Sequence, residues 1–519
     1  MGSIDSYGTF EHEEEILLMN HGDDSTTELV KRLNKSQRVT RLPDKHTVAE
    51  LLEMAGGFGK AQWYSFFAVL LCNLAISFYS YNLPYLELKP QLSCDIENKF
   101  GVCSIEDVCQ DPGFNKWQVD YSDKMTINNW MLDRDDFCIG HFKTGLIGSS
   151  MMVGVLLSTV ISQMSDFIGR KRFIQVCSLC SILVVNLLFF AKDIDVRIIL
   201  CLCIGMLNSI YYCSYSYLLE ITPKKNTSLM SHLFMVSEGF VPTFSCSMFF
   251  LLGNKNWEHL FFFTLILAPL GLSLSFFLPK SPQYLFDNNE EESAKAELES
   301  ISKMNGCELP ENYKIVNEEE GSDSHSISEG KCMYFASFQN FLKLAIFSVI
   351  LTYLCFNGVL FDYYVKYIEI DMFLINLLKS LGGAVSIVLS YTFLRFFAFK
   401  KVAITILILL ALLALPLLGS IESNGKALIV ISLVGISSCM TSLFVLMYYF
   451  VSESFPHAMV PLVLCLAHIV SNVLMIMSPE VAEVKGRLPI FIFLGATLFS
   501  LVSIVLYKKP EKEEYLTKD

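Results

Sequence analysis

The stretch Ser165-Asp166-Phe167-Ile168-Gly169-Arg170-Lys171-Arg172 decides how the rest of the chain is read. It places an acid, a glycine and three consecutive bases between two long apolar runs. A charged side chain at mid-bilayer costs about 2.5–3.5 kcal/mol on insertion scales, so this cluster belongs in water, in a tight turn between two membrane spans. The glycine permits the turn and the bases hold that side of the membrane to the cytoplasm. Composition agrees. The chain of 519 residues is 53% hydrophobic, with a mean hydropathy of +0.45, too apolar for a soluble protein of this length.

Working outward, apolar windows long enough to cross a hydrocarbon core of about 30 Å recur along the chain. Six fall near 62–83, 141–162, 173–191, 196–219, 228–252 and 257–278, and six more near 341–361, 372–394, 401–421, 427–450, 459–478 and 488–507. The expectation is an all-α membrane protein with 12 transmembrane helices in two six-helix halves, 62–280 and 341–507. An N-terminal tail (1–61), a large first outer loop (84–140), an insert (281–340) and a C-terminal tail (508–519) complete it. Lys31, Arg32, Lys35, Arg38, Arg41 and Lys45 fall on the same side as Arg170, Lys171, Arg172, Lys224, Lys225, Lys400, Lys401, Lys508 and Lys509. Both termini are therefore expected in the cytoplasm. The first 46 residues are polar and carry Glu13-Glu14-Glu15, so no cleavable leader is expected. The net charge of −13 argues against nucleic acid as a partner; the lipid bilayer is the expected surrounding.

The soluble segments have signals of their own. Thr47-Val-Ala-Glu50 is a capping box, and Val48, Leu51, Leu52 and Ala55 follow at helical spacing, predicting a short amphipathic helix on the inner membrane surface that ends at Gly56-Gly57. The outer loop holds Cys94, Cys103, Cys109 and Cys138, an even set that allows three pairings in an oxidising space, and it carries no Asn-x-Ser/Thr. A disulfide-capable loop favours the plasma membrane, while the missing sequon leaves an organelle membrane as the alternative. In the insert, Asn289 to Asn305 reads as a helix stopped by Gly306, and Glu318 to Gly330 as an acidic, serine-rich linker.

The run Asp166-x-x-Gly169-Arg170-Lys171-Arg172 resembles the loop signature of the major facilitator superfamily. Four further segments are similar to the organic cation/anion/carnitine transporter family within it. They are Leu51 to Gln62 leading into the first span, Thr126-Ile-Asn-Asn-Trp-Met-Leu-Asp133 closing the cysteine loop, Trp257 with Leu278-Pro-Lys-Ser-Pro-Gln-Tyr-Leu285 around the sixth span, and Glu453-Ser-Phe-Pro456 after the tenth. The resemblance implies a major facilitator fold and a secondary transporter of a small organic anion, cation or carnitine-like zwitterion. It further implies a gate built from Asp166, Gly169, Arg170 and Glu220 in one half and from Arg395 and Glu453 in the other. Departures accompany it. Val460 stands where the family has an arginine, and Leu394-Arg-Phe-Phe-Ala-Phe-Lys-Lys401 keeps the bases of the second-half signature without its acid or glycine. These departures feed an alternative, a transport-inactive carrier kept as a structural or accessory subunit of a membrane complex.

Charges within the spans mark candidate binding groups, because each needs a reason to be there. Glu238 lies midway along the fifth span, near Gly239 and Pro242, and Lys379 lies in the eighth. A structural salt bridge is the alternative for both. Asp362 and Lys366 fall at the outer end of the seventh span and read as interfacial. By resemblance, Lys379 matches the basic residue of anion carriers, while Asn472 falls where a charge-selecting residue is expected and is neutral. Tyr79 and Tyr81 in the first span and Tyr211, Tyr212 and Tyr215 in the fourth are candidates to line a cavity for a flat or ammonium-bearing solute. Tyr217 reads as an interface anchor, and His232 and His468 as hydrogen-bonded packing residues. No Walker motif, zinc-protease motif, Gly-x-Ser-x-Gly or paired Cys-x-x-Cys set occurs, so neither an enzyme nor a cofactor is expected.

Overall fold

The computed structural model describes residues 44–506, except 97–98, 111–116, 124–125, 133–135, 251–255, 311, 317–336, 365–370, 424–425, 457–458, 479–480 and 482–486. The acidic linker, Lys366, the last residue of the Thr126–Asp133 segment and most basic residues of the two tails lie outside the described residues. The chain divides into two compact units. In one, β1 (Asp44–His46) pairs in parallel with β5 (Tyr313–Ile315), with Asp44 opposite Tyr313.

The other unit holds the membrane helices. Those of the first half are α1 (Lys60–Leu86), α2 (His141–Ile161), α3 (Arg170–Phe190), α4 in two segments (Ile194–Leu207 and Ser209–Glu220), α5 (Thr227–Phe250) and α6 (Glu258–Ser275). Those of the second half are α7 (Phe338–Tyr364), α8 (Met372–Phe396), α9 (Phe399–Ser423), α10 (Lys426–Ser454), α11 (Val460–Met475) and α12 (Leu488–Leu506). Among the described residues, ten helices are long and apolar enough to cross a membrane. The two expected spans outside that set are α11, which is short, and α5, whose run of Ser231, His232, Ser237, Glu238, Thr243, Ser245 and Ser247 dilutes its hydropathy. Apolar side chains such as Phe240, Ile266, Val388 and Phe499 are exposed around the bundle, as lipid-facing positions must be.

Two glycines set the closest helix approach. A Cβ on Gly154 of α2 would stand 2.3 Å from the Leu202 carbonyl oxygen, and one on Gly205 of α4 would stand 2.2 Å from that of Met151. Small residues at such crossings let backbones touch, the main route to helix association in lipid.

α1 runs past Pro84 to Leu86, further than its hydropathy suggests. Its carbonyl end is tied down from the following loop: Asn129 Nδ2 donates to the carbonyls of Tyr85 and Leu88, both at 2.8 Å. Next to Asn129, Trp130 is fully buried beneath Arg197, whose Nη1 donates to the Trp130 carbonyl at 3.1 Å and whose guanidinium lies 5.1 Å from the ring. That pin explains the Thr126–Asp133 segment. In the same loop, β2 (Leu92–Ile96) pairs antiparallel with β3 (Lys99–Cys103) and β4 (Trp117–Val119). The four cysteines are resolved into Cys94–Cys103 and Cys109–Cys138.

At the opposite end, the helix Val48–Met54 is present, but its apolar face is not left for a lipid surface. Val48, Leu51 and Leu52 are buried, and the helix packs against Glu291–Asn305, which contributes its own stripe of Ala294, Leu298 and Ile301. Asn305 fastens the two: Nδ2 donates to the Ala55 carbonyl at 2.8 Å and Oδ1 accepts from Ala61 N at 2.9 Å. Gly306 ends the insert helix in the left-handed region, at φ +78°. Tyr217 is another correction. It is fully buried, and its hydroxyl donates to the Pro279 carbonyl at 2.8 Å, so it braces the end of the sixth span instead of anchoring at an interface.

Candidate functional site

A cavity of about 420 Å³ lies among α1, α4, α5, α7, α8 and α10. Its volume is in the range that holds a small organic ligand. The charged groups of its lining are Glu238 of α5, Asp362 of α7 and Lys379 of α8. α5 and α8 pack against each other across the halves. On α8, Asn376, Lys379, Ser380 and Gly383 fall at helical spacing on one face, and on α5 Met235, Glu238 and Pro242 do the same.

Glu238 is 5% exposed and lines the cavity. Ser77 Oγ, on the α1 face shared with Tyr81 and Tyr85, donates to Glu238 Oε2 at 2.9 Å. Oε1 is buried and finds no hydrogen-bond partner among the described residues. Pro242, four residues on, deprives the Glu238 carbonyl of its usual helical donor, adding a second acceptor on this stretch of α5. Tyr81 and Tyr211 line the same chamber.

Lys379 also lines the cavity and forms an ion pair with Asp362, itself a lining residue of α7. The lysine side chain is 11% exposed and that of Asp362 is 61% exposed. Asp362 is thus part of the chamber, a role its span-end position concealed. Ser77 is a neighbour of the candidate groups that the sequence reading did not name, and Asp362 one that it placed at the interface. The spacing Ser77, Tyr81, Tyr85 was the available signal for the first, and the charge at the end of an apolar window was the signal for the second.

Contacts between the halves bracket the cavity. Toward the disulfide loop, Asn376 Nδ2 donates to Tyr85 Oη at 2.8 Å, and the Tyr85 ring stacks on Phe373 at 5.1 Å. At the other end, Tyr215 Oη donates to the Tyr448 carbonyl at 3.3 Å and lies 3.1 Å from Ser231 Oγ. Tyr448 Oη and His468 Nε2 are 2.7 Å apart. Tyr215 therefore closes one end of the chamber and does not line it. Asn472 is buried beside Tyr212, also outside the lining.

Beyond the Tyr215 layer, Arg170 is 6% exposed and gathers the charges that the opening stretch placed near one another. Its Nε donates to Glu220 Oε1 at 3.0 Å, and it forms an ion pair with Asp166. Gly169 enters α3 at φ +94°, a conformation a side chain would strain, with the Tyr284 ring 3.5 Å from where a Cβ would sit. In the second half, Arg395 is exposed and donates to Tyr391 Oη at 2.7 Å, and the Tyr391 ring meets His232 of α5 at 5.2 Å. Glu453 is exposed near the end of α10.

Two helical bundles around a charged chamber at membrane depth, joined across both of its ends, define a membrane carrier. The model of the Major Facilitator Superfamily matches residues 65–479, and the chain belongs to that superfamily, whose fold is not that of enzymes. Among curated proteins it is 28% identical over 180 residues to the human organic cation/carnitine transporter 2, covering 33% of this chain and 31% of that protein. It is 27% identical over 194 residues to the major myo-inositol transporter IolT of Bacillus subtilis (strain 168), covering 35% and 41%. The chain spans less than half the length of the curated relatives it matches. The proton:xylose symporter XylE, solved with 6-bromo-6-deoxy-D-glucose, shares the fold with a TM-score of 0.60 at 13% identity, covering 86% of this chain and 94% of that one.

Proposed function

We propose that the protein is a secondary transporter that moves a small organic ion or zwitterion across a membrane by alternating access, with both termini in the cytoplasm and the plasma membrane as its site. The observation that carries this reading is the Glu238 carboxylate: buried, lining the chamber, with one oxygen bonded to Ser77 and the other unpartnered among the described residues. A buried carboxylate is costly unless a cationic or hydrogen-bond-donating group joins it. A neutral sugar, the kind of solute named for XylE, would give the second oxygen a hydroxyl donor at most and leave the carboxylate without a counter-charge. An ammonium group seated on Glu238 between Tyr81 and Tyr211 would gain an ion pair and ring contacts together. The likeness to an organic cation/carnitine transporter supports the same solute class.

In this reading Glu238, Lys379 and Tyr211 bind solute. The Tyr215–Tyr448 layer and the Arg170–Asp166–Glu220 cluster close the cavity on one side, and Tyr85, Asn376 and Phe373 close it on the other. Rocking of the halves breaks one set of contacts while the other holds. Uptake into proteoliposomes tests the proposal, using a panel of organic cations, organic anions, carnitine-like zwitterions and xylose. Saturable uptake of a charged class that Glu238→Gln abolishes supports it. Uptake of xylose alone, or of no solute by correctly inserted protein, overturns it.

A further inference from the structure

Asp362 and Lys379 are unequally buried, and this inequality says which of the two can let go. The lysine side chain, at 11% exposed, has little access to water. Asp362, at 61% exposed, keeps most of its hydration while it is paired. If the pair opens, the carboxylate returns to a largely aqueous setting at small cost. The ammonium would be stranded in a desolvated site, and leaving one partner of a buried pair alone is the expensive event. Lys379 therefore needs an anion at all times, whereas Asp362 does not need Lys379. Both line the cavity, so an incoming anionic group meets the pair directly.

We propose that Asp362 is a displaceable counter-ion, a specificity-determining residue that holds Lys379 in the empty carrier and is replaced there by the carboxylate, or similar anionic group, of the solute. The exchange conserves charge. One carboxylate leaves Lys379 for water, another arrives from water, and no proton moves. Because the pair must open first, Asp362 weakens the binding of every anionic solute by a common factor and leaves cationic solutes untouched. It acts as a threshold that a solute meets by having a second contact elsewhere in the chamber. Glu238, with its unpartnered oxygen, offers that second contact to a zwitterion. This inference rests on the transport reading above and adds to it a residue that sequence placed at the interface.

The test is equilibrium binding to the purified full-length protein in detergent or nanodiscs. Three aromatic probes of one size are used: benzoate, benzamidine, and trigonelline as the zwitterion. Asp362→Asn keeps the shape of the side chain and removes its charge. The dissociation constant for benzoate is expected to fall roughly five- to tenfold, with trigonelline shifted in the same direction and benzamidine unchanged. In Lys379→Ala, benzoate binding is expected to be lost. Since Asp362→Asn leaves Lys379 without its anion, the empty variant melts lower on either reading; a purely structural role predicts weaker binding of all three probes and a melting temperature that benzoate does not restore. That result overturns the inference, as does unchanged benzoate affinity. Asp362→Ser repeats the test in case the asparagine variant folds poorly. Failure of both to fold even with benzoate present also overturns it, since the solute carboxylate then does not stand in for that of Asp362. Wild-type protein that binds none of the three probes overturns the transport reading itself and this inference with it.

Discussion

Replacing Glu220 by methionine leaves Arg170 in its buried site with half of its charge compensation removed. The Arg170 and Glu220 side chains are 6% and 7% exposed, whereas Asp166 is 21% exposed. Breaking a buried pair by deleting one partner costs about 3–5 kcal/mol, and because Asp166 remains in contact the lower figure of about 3 kcal/mol applies. This corresponds to a shift of roughly 150-fold in the folded ratio. The double variant Arg170→Met/Glu220→Met removes both poorly hydrated charges at once. It leaves Asp166, at 21% exposed the best hydrated of the three, so the expected loss is about 1 kcal/mol. Unfolding of the detergent-solubilised protein by SDS, followed by tryptophan fluorescence, measures both. A single variant within about 1 kcal/mol of wild type would refute the reasoning, as would a double variant that loses as much as the single.

Other expectations follow from the same geometry. Gly205→Val places a side chain 2.2 Å from the Met151 carbonyl oxygen, and overpacking of this kind costs about 1–3 kcal/mol or more, read as lower thermal stability in detergent. Gly145→Ala, where a Cβ would meet nothing within 4 Å, serves as its control. Non-reducing peptide mapping should recover Cys94–Cys103 and Cys109–Cys138. Removal of Cys109–Cys138, with a sequence separation of 29 against 9 for the other, should destabilise the loop by about 1 kcal/mol more on chain-entropy grounds.

Ten of the twelve expected spans were legible because hydropathy over some twenty residues is a one-dimensional property, and so were the insert helix and its stop at Gly306. α5 was the weakest span for a physical reason: the polar residues that lower its hydropathy include those that build the chamber. Glu238 and Lys379 stood out as charges inside apolar windows, and both do line the cavity. The partnership of Lys379 with Asp362 did not stand out, since the two residues lie 17 positions apart on different helices and meet only in the folded bundle. Disulfide pairing was equally hidden. Four cysteines permit three pairings, and the choice follows from the β2–β3 register, with Leu92 opposite Cys103 and Cys94 opposite Gly101. The face of the helix Val48–Met54 read as membrane-seeking because its true partner lies some 250 residues away in sequence, at Asn305.

The most direct test of the account compares uptake of one radiolabelled carnitine-like zwitterion by proteoliposomes containing wild-type protein or Glu238→Gln, at equal amounts of inserted carrier. Saturable wild-type uptake, reduced at least tenfold in the variant while xylose stays outside in both, is the result predicted from a buried carboxylate that awaits a cation. Equal uptake by the two proteins would place the solute elsewhere and contradict it.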